Sequence, residues 1–478
     1  ALGGGLLALV VGQVASRLLV HQLATSVSAV TLDLTPDWRI LAFTAAVSFG
    51  TALVFGLAPT AGLSGVSPNQ ALKERSRSVT GDRRFGIRNA LVVAQVALSL
   101  VLVMGAGLFL KTFASLNSAP LGFDPTHLLV TTVDMRQSAA TPETRRVLYD
   151  RVREAMAGVP GVRHVAVSEI IPVSGSGWNG RAKIEGVPEL AGRAAEYWIN
   201  PVSTGWFETY GIHVLSGRDV ADSDTASSEP VVVVNETFVK RFIGGENAIG
   251  RMLYTDPEAN VSERARIVGV VSDSVYRNAR AGVYATAYRP FLQGSPDGAI
   301  SASVKVTAQL GIDSLAARSA LTEALSQVDS RLSFSFRDLS DQVRVSTSQE
   351  RLVAMLSGFF GVLALLLAGM GLYGVTSYAV DQRRSEIAVR MALGATGTTV
   401  VRMVLARASA LVMIGVLIGI GLSMWASKFV GKLLFGLTPR DPATMTMAIV
   451  ALVVIGAVAA WLPARRASRL DPTAVLRE

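Results

Sequence analysis

Cysteine is absent from the 478 residues, which removes disulfides, thiolate metal sites and cysteine nucleophiles together. Histidine occurs only at His21, His127, His164 and His213, without the spacing of a metal-ligand set. Charge is scarce. Asp, Glu, Lys and Arg make up 17% of the chain, where a soluble domain carries about a quarter. The hydrophobic share is 50% and the mean hydropathy +0.41, so membrane spans are expected. No G-x-x-x-x-G-K-S/T run occurs, so the chain has no P-loop of its own with which to bind ATP. Gly175-Ser176-Gly177-Trp178-Asn179-Gly180 fits G-x-G-x-x-G, but Arg181–Val187 after it reads as a strand. A pyrophosphate needs a helix N-terminus there, so the stretch reads as a loop. No Ser/His/acid set or paired carboxylate stands out, which leaves an outer-domain enzyme with little support.

What is present is membrane-like. Apolar runs near 1–20, 39–60, 89–113, 350–378, 405–430 and 443–463 each approach the length of a bilayer-spanning helix, giving about six spans. Their centres hold Thr44, Ser48, Thr51, Gln95, Ser99, Tyr373 and Ser377 and no Asp or Glu. That set suits helix–helix hydrogen bonding rather than an ion-coupled carrier. Lys111 lies at a span end and can snorkel. Gly105-Ala106-Gly107 and Gly369-Met370-Gly371 permit close helix packing.

Basic residues concentrate in the loop 73–88, around Arg383–Arg407 and in the tail from Arg465, whereas loops 21–38 and 431–442 carry few. Six crossings place all three basic segments on one side, expected to be the cytoplasm. The net charge of +9 is thereby explained by topology, and no nucleic-acid partner is expected.

Between the third and fourth runs, residues 124–345 form a polar, extracytoplasmic α+β region. Leu128–Met135 (strand), Pro142–Gly158 (helix) and Val162–Ser168 (strand) make one β-α-β unit, and Ile300–Val306, Ile312–Val328 and Leu332–Phe336 another. A strand-rich middle, including Val231–Val234, a short helix Thr237–Ile243 and Arg266–Val271, separates them. The aromatic run Trp206-Phe207-Glu208-Thr209-Tyr210 reads as core, the histidines outside the spans as structural. Asn235-Glu236-Thr237 and Asn260-Val261-Ser262 are formal glycosylation sequons.

The membrane parts repeat. Pro59, Ser64, Pro68, Leu72 and Glu74 correspond in spacing to Pro463, Ser468, Pro472, Leu476 and Glu478. Two similar modules in one chain are expected, the first lacking its beginning, since Ala1 stands inside an apolar run. The intact protein is therefore expected to continue upstream.

One charged amphipathic stretch lies between apolar runs, Arg383-Arg384-Ser385-Glu386-Ile387-Ala388-Val389-Arg390-Met391-Ala392-Leu393-Gly394-Ala395. Glu386 and Arg390 can pair four apart. Ile387 with Met391, and Val389 with Leu393, repeat that spacing, and Gly394 suits a helix end.

These residues carry a resemblance. The stretch from Arg384 to Ala395 resembles the cytoplasmic coupling helix of MacB/FtsX-type permeases of ABC transporters, and Leu462–Pro472 their C-terminal signature. Gly205–Ile212, Val234–Phe238, Gly244–Gly250 and Ile267–Asp273 resemble their periplasmic core domain. The chain resembles the duplicated orphan permease subfamily more than single-module members. The resemblance implies a multi-pass α-helical membrane protein with a large α+β extracytoplasmic domain of porter-like β-α-β units plus an inserted lobe. It implies the end of a first module at 1–72, with two spans, and a basic cytoplasmic linker at 73–88. A span leading outward at 89–123, the outer domain at 124–345 and a second, three-span module at 346–478 follow. The intact chain would supply a pseudo-dimer by itself.

By the same resemblance the chain is a non-enzymatic permease subunit in a bacterial inner membrane, in contact with membrane lipid and with 124–345 in the periplasm. It holds no cofactor; ATP-Mg belongs to a separate cytoplasmic ATPase subunit. That ATPase would dock on Ile387, Met391 and Leu393, oriented by Arg384, Glu386 and Arg390, with Gly394 ending the helix. Pro463, Arg465, Arg466 and Pro472 mark the cytoplasmic signature. Spans 89–113 and 350–378 would transmit force to the outer domain for export, together with a periplasmic adaptor or outer-membrane channel. The alternative is a non-transporting signalling or scaffold protein that regulates an envelope enzyme.

Overall fold

A computed structural model describes residues 2–23, 38–63, 87–135, 138, 141, 144–188, 190–255, 263–293, 303–312, 314–431, 434–436, 438 and 440–469. They divide into two compact units, one running from Leu116 to Gln349 and the other holding the residues before and after it.

In the helical unit, four helices are long and apolar enough to cross a membrane: Ile87–Asn117, Ser348–Gln382, Gly397–Val430 and Pro442–Ala467. The helices Leu2–Leu23 and Trp38–Leu63 are apolar over the shorter stretches Gly3–Val14 and Trp38–Leu53. Val96, Leu100, Met104, Leu372, Val412, Val416 and Leu452 form the core of the four. Leu98, Leu102, Leu366, Leu417 and Val453 face outward. Such outward leucines and valines suit a lipid solvent, where burial against another helix has no hydrophobic advantage.

Small residues set the approach of these helices. A Cβ on Gly415 would come within 2.7 Å of Val96, one on Gly107 within 2.6 Å of Thr444, and one on Gly361 within 2.9 Å of Ala106. Gly371 meets Gln95 as closely, while Gly105 faces open space. Of the polar span residues, Gln95 and Ser99 bond across helices as expected, Gln95 donating to the Leu367 carbonyl at 2.7 Å and Ser99 to the Ala364 carbonyl at 3.1 Å, whereas Thr44 and Thr51 donate to carbonyls of their own helix.

The other unit carries eleven strands: β1 (Leu128–Asp134), β2 (Val162–Ser168), β3 (Trp178–Ile184), β4 (Glu196–Val202), β5 (Val214–Gly217), β6 (Val231–Asn235), β7 (Met252–Thr255), β8 (Glu263–Val271), β9 (Thr286–Pro290), β10 (Ser303–Leu310) and β11 (Ser333–Asp338). The two β-α-β units flank the middle in sequence but interleave in space, in the order β11-β1-β10-β2. Antiparallel pairing of Thr131 with Val306 and of Thr307 with Ala166 puts each unit's strand between the two strands of the other. Their helices, Arg145–Ala157 and Ser314–Val328, bury Leu148, Val152, Met156, Leu321 and Leu325 over Leu129 and Val133. Alternate apolar residues on the strands and a 3.6-residue period on the helices permit this two-layer packing.

The middle strands close on themselves. β4-β3-β7-β8-β6-β9 follow in order, and β9 returns to β4 in parallel, Asn200 opposite Tyr288. A closed ring has no free edge among its six members. Ile184, Val232, Val234, Phe238, Leu253 and Ile267 form a core within this part. The aromatic run is core too: Trp206, Phe207 and Tyr210 are buried, and Trp206 and Phe207 pack on Tyr288 at centroid distances of 5.2 and 5.0 Å.

Candidate functional site

The charged stretch folds as the helix Arg384–Ala392. Its end is a Schellman motif: Gly394 at φ +99° lets its amide reach the Met391 carbonyl and the Ala395 amide reach Arg390, both at 3.0 Å. Glu386 and Arg390 pair at 2.6 Å, and the Arg390 guanidinium lies 3.0 Å from the Met403 sulfur. Both side chains of the pair are about half exposed, so its worth is the small one of a surface pair.

The two apolar stripes on this helix have different fates. Ile387 is 2% exposed, packed with Val380, Val400 and Ala467, and Met391 lies partly buried beside it. Val389 and Leu393 point the other way, 44% and 83% exposed. The expectation that Ile387 and Met391 meet a partner together with Leu393 therefore needs correction. Ile387 is already fully used in seating the helix, and Met391 partly so. Val389, which the sequence reading left out of the contact set, joins Leu393 on the open stripe. The spacing i, i+4 gives both stripes equally, and only neighbours on other helices distinguish them.

Behind Ile387 lies a cavity of about 50 Å³ lined by Val375, Ala379, Val380, Met403, Leu411 and Arg407 among others. Asn89 and Arg383 add polar groups to its lining.

The C-terminal signature completes the seat. Pro463 is buried inside the helix Pro442–Ala467, where Ala464 and Ala467 are also buried, and Ala467 touches the Ile387 cluster. Arg465 stacks over Trp461 at 5.1 Å, and Arg466 donates to the Tyr373 hydroxyl at 2.9 Å. Arg88 lies over the Tyr378 ring at 4.1 Å. Each guanidinium thus rests on an aromatic ring or phenol at the end of a span. Pro472 and the basic loop 73–88, apart from Ile87 and Arg88, lie outside the described residues, as do the first-copy repeat positions Ser64 to Glu74.

In the other unit no nucleotide site forms at the G-x-G-x-x-G stretch. Strand β3 starts at Trp178 itself, and a Cβ on Gly177 would press within 2.6 Å of Trp198. Asn235 is buried and fully engaged: its Oδ1 accepts from the amides of Phe238 and Thr286, and its Nδ2 donates to the Tyr284 carbonyl. It caps a turn and is closed to a glycan; Asn260 lies outside the described residues. His164 lies 3.6 Å from Glu208, and among the described residues no group of His, Asp and Glu has the arrangement of a metal site.

Two family models match. The FtsX-like permease C-terminal model matches residues 358–472, and the MacB-like periplasmic core domain model residues 90–324. A probable export ATP-binding/permease protein of Pseudomonas fluorescens is 25% identical over 66% of this chain and 50% of its own length. A macrolide export ATP-binding/permease protein, MacB, of Burkholderia pseudomallei is 26% identical over 57% of this chain and 42% of its own length. The chain thus spans about half the length of the curated relatives it matches, or less. Among solved structures, the periplasmic region of MacB from Actinobacillus actinomycetemcomitans covers 47% of this chain and 94% of its own, at 16% identity and a TM-score of 0.32.

Proposed function

The chain belongs to the MacB/FtsX-type ABC transporter permeases, and from that premise we propose that a partner ATPase works through it to reshape its extracytoplasmic domain for export. The ATPase docks on the open side of Arg384–Ala392, with Val389 and Leu393 as the apolar contact and Arg384 and Glu386 at its rim. ATP and Mg²⁺ bind that ATPase. Ile387 and Met391 carry the push inward, because they are keyed between residues of Ser348–Gln382, Gly397–Val430 and Pro442–Ala467. One helix with one stripe keyed into three spans and its other stripe open is the observation that carries this reading.

In the same reading Leu2–Leu23 and Trp38–Leu63 are two further spans, the end of a first permease module, and bring the spans of this chain to about six. The basic segments then face the cytoplasm of a bacterial inner membrane and residues 124–345 the periplasm. Two modules per chain give a pseudo-dimer, and an adaptor or outer-membrane channel receives what is exported. The relatives' names mention macrolide and syringafactin export, which supports export as the activity.

The test is the pair Val389→Asp with Leu393→Asp, made in the full-length protein co-expressed with its ATPase. Loss of ATPase co-purification and of stimulated ATP turnover, with an unchanged melting temperature of the purified permease, is expected. Retention of both would overturn the docking site.

A further inference from the structure

Beside the seat of the Arg384–Ala392 helix, the start of Gly397–Val430 and the end of Pro442–Ala467 enclose an open groove of about 750 Å³. Its two halves differ chemically. Val401, Leu405 and Ala406 make an apolar wall, and Arg402, Ser409, Ser468 and Trp461 line the rest. Arg402 is exposed and has no carboxylate partner among the described residues. Trp461, 44% exposed, carries the guanidinium of Arg465 over its ring at 5.1 Å. One end is closed by contact: a Cβ on Gly397 would meet Ser468 at 3.3 Å.

We propose that this groove binds one anionic phospholipid, phosphatidylglycerol-like, with its phosphate between Arg402 and Arg465 and an acyl chain along Val401 and Leu405. Three features point to a lipid rather than a soluble anion. The cationic end adjoins an apolar wall, as a headgroup adjoins its chains. The wall belongs to Gly397–Val430, a helix long and apolar enough to cross a membrane, and Trp461 opposite it to another such helix, Pro442–Ala467. Trp461 has the amphipathic ring enriched at the membrane–water interface, and arginines there attract anionic lipid. The groove lining holds one cation, Arg402, and no acidic residue, and a second cation, Arg465, lies over the lining residue Trp461, which favours an anionic over a zwitterionic headgroup. Bound there, the lipid stands next to Thr396 and Gly397, immediately after the turn at Gly394, and tunes how firmly the docking helix is seated.

The inference rests on the family reading only for the side of the membrane, not for the chemistry of the groove. The experiment is native mass spectrometry of the full-length protein extracted from vesicles containing equal phosphatidylglycerol and phosphatidylcholine. Wild type retains phosphatidylglycerol in preference, and Arg402→Gln with Arg465→Gln lowers the retained lipid about ten-fold. Leu405→Trp fills the wall while keeping both charges, and is expected to lose the lipid as well. Addition of inorganic phosphate leaves the adduct in place. Equal retention of the two lipids, retention by Leu405→Trp, or displacement by inorganic phosphate each overturns the proposal, the last by showing a soluble-anion site. A failed ATPase-docking test leaves these outcomes untouched, so the two readings fall separately.

Discussion

Lys111 Nζ lies 2.9 Å from Asp441 Oδ2, tying the late part of the helix Ile87–Asn117 to the first turn of Pro442–Ala467. The same carboxylate caps that second helix, accepting from the Thr444 amide at 3.0 Å and from the Thr444 hydroxyl. By sequence alone Lys111 can snorkel; in the fold it has a partner supplied 330 residues later.

This cap predicts a pH dependence. The Thr444 hydroxyl first, then Lys111 and the Thr444 amide, hold the Asp441 carboxyl down at about 2 from its ordinary 3.8. A depressed carboxylate stabilises the fold above its ordinary value and loses that contribution as pH falls to the folded value. Asp441→Asn keeps a capping oxygen but not the charge, and Asp441→Ala keeps neither. The expected melting order at pH 7 is wild type, Asn, Ala, with the wild-type advantage over Asn fading between about pH 4 and 2.

Seating and docking separate by mutation. Ile387→Ala removes a fully buried branched side chain and should cost about 2–4 kcal/mol, measured by chemical or thermal unfolding of the purified protein. Leu393→Ala, on the open stripe, should stay within about 0.5 kcal/mol of wild type while weakening ATPase association. Equal destabilisation by both would contradict the two-stripe arrangement.

These 478 residues hold no cysteine, so a cysteine introduced among them is the one thiol they carry. Leu393→Cys should react readily with a membrane-impermeant maleimide from the cytoplasmic face and become protected on binding the ATPase. Ala388→Cys, at a position with no exposure, should stay unreactive until the protein is unfolded.

Gly394 has φ +99° and open space where a Cβ would stand. Gly394→Ala should therefore cost about 1 kcal/mol through backbone strain alone. Gly394→Asn should cost less, because Asn tolerates the left-handed region. A loss larger for Asn than for Ala would show that the open space is filled in solution.

In the outer unit Arg218 grips Asp224 with both terminal nitrogens, at 2.7 and 2.8 Å. Burial pushes the Asp224 carboxyl up, but the Arg218 hydrogen bonds and charge, with the Ala221 amide, bring it below its usual range. Arg218→Leu leaves the carboxylate buried without its counter-charge and should destabilise by about 2 kcal/mol at pH 7, discounted because the arginine is half exposed. In wild type the pair's contribution is lost as pH falls through the folded value. In the variant, burial is opposed only by the Ala221 amide and the carboxyl rises relative to wild type, so the deficit should shrink on acidification toward about pH 4. A deficit independent of pH would assign the effect to lost packing.

The sequence by itself determined the elements and the punctuation. Long apolar runs became helices, alternating runs became strands, and Gly394 ended its helix, because 3.6-residue and two-residue periods and a left-handed glycine act over a few neighbours. It also ruled out a pyrophosphate at Gly175–Gly180, since β-branched and alternating residues after the glycines make a strand. What the tertiary structure alone decided is which of two equal stripes faces inward. Ile387 won over Val389 because Val380, Val400 and Ala467, on three other helices, converge on its side. The same holds for the interleaving of the two β-α-β units, the partner of Lys111 and the engagement of Asn235. Each is a pairing between residues tens to hundreds of positions apart, and local periodicity carries no information about such partners.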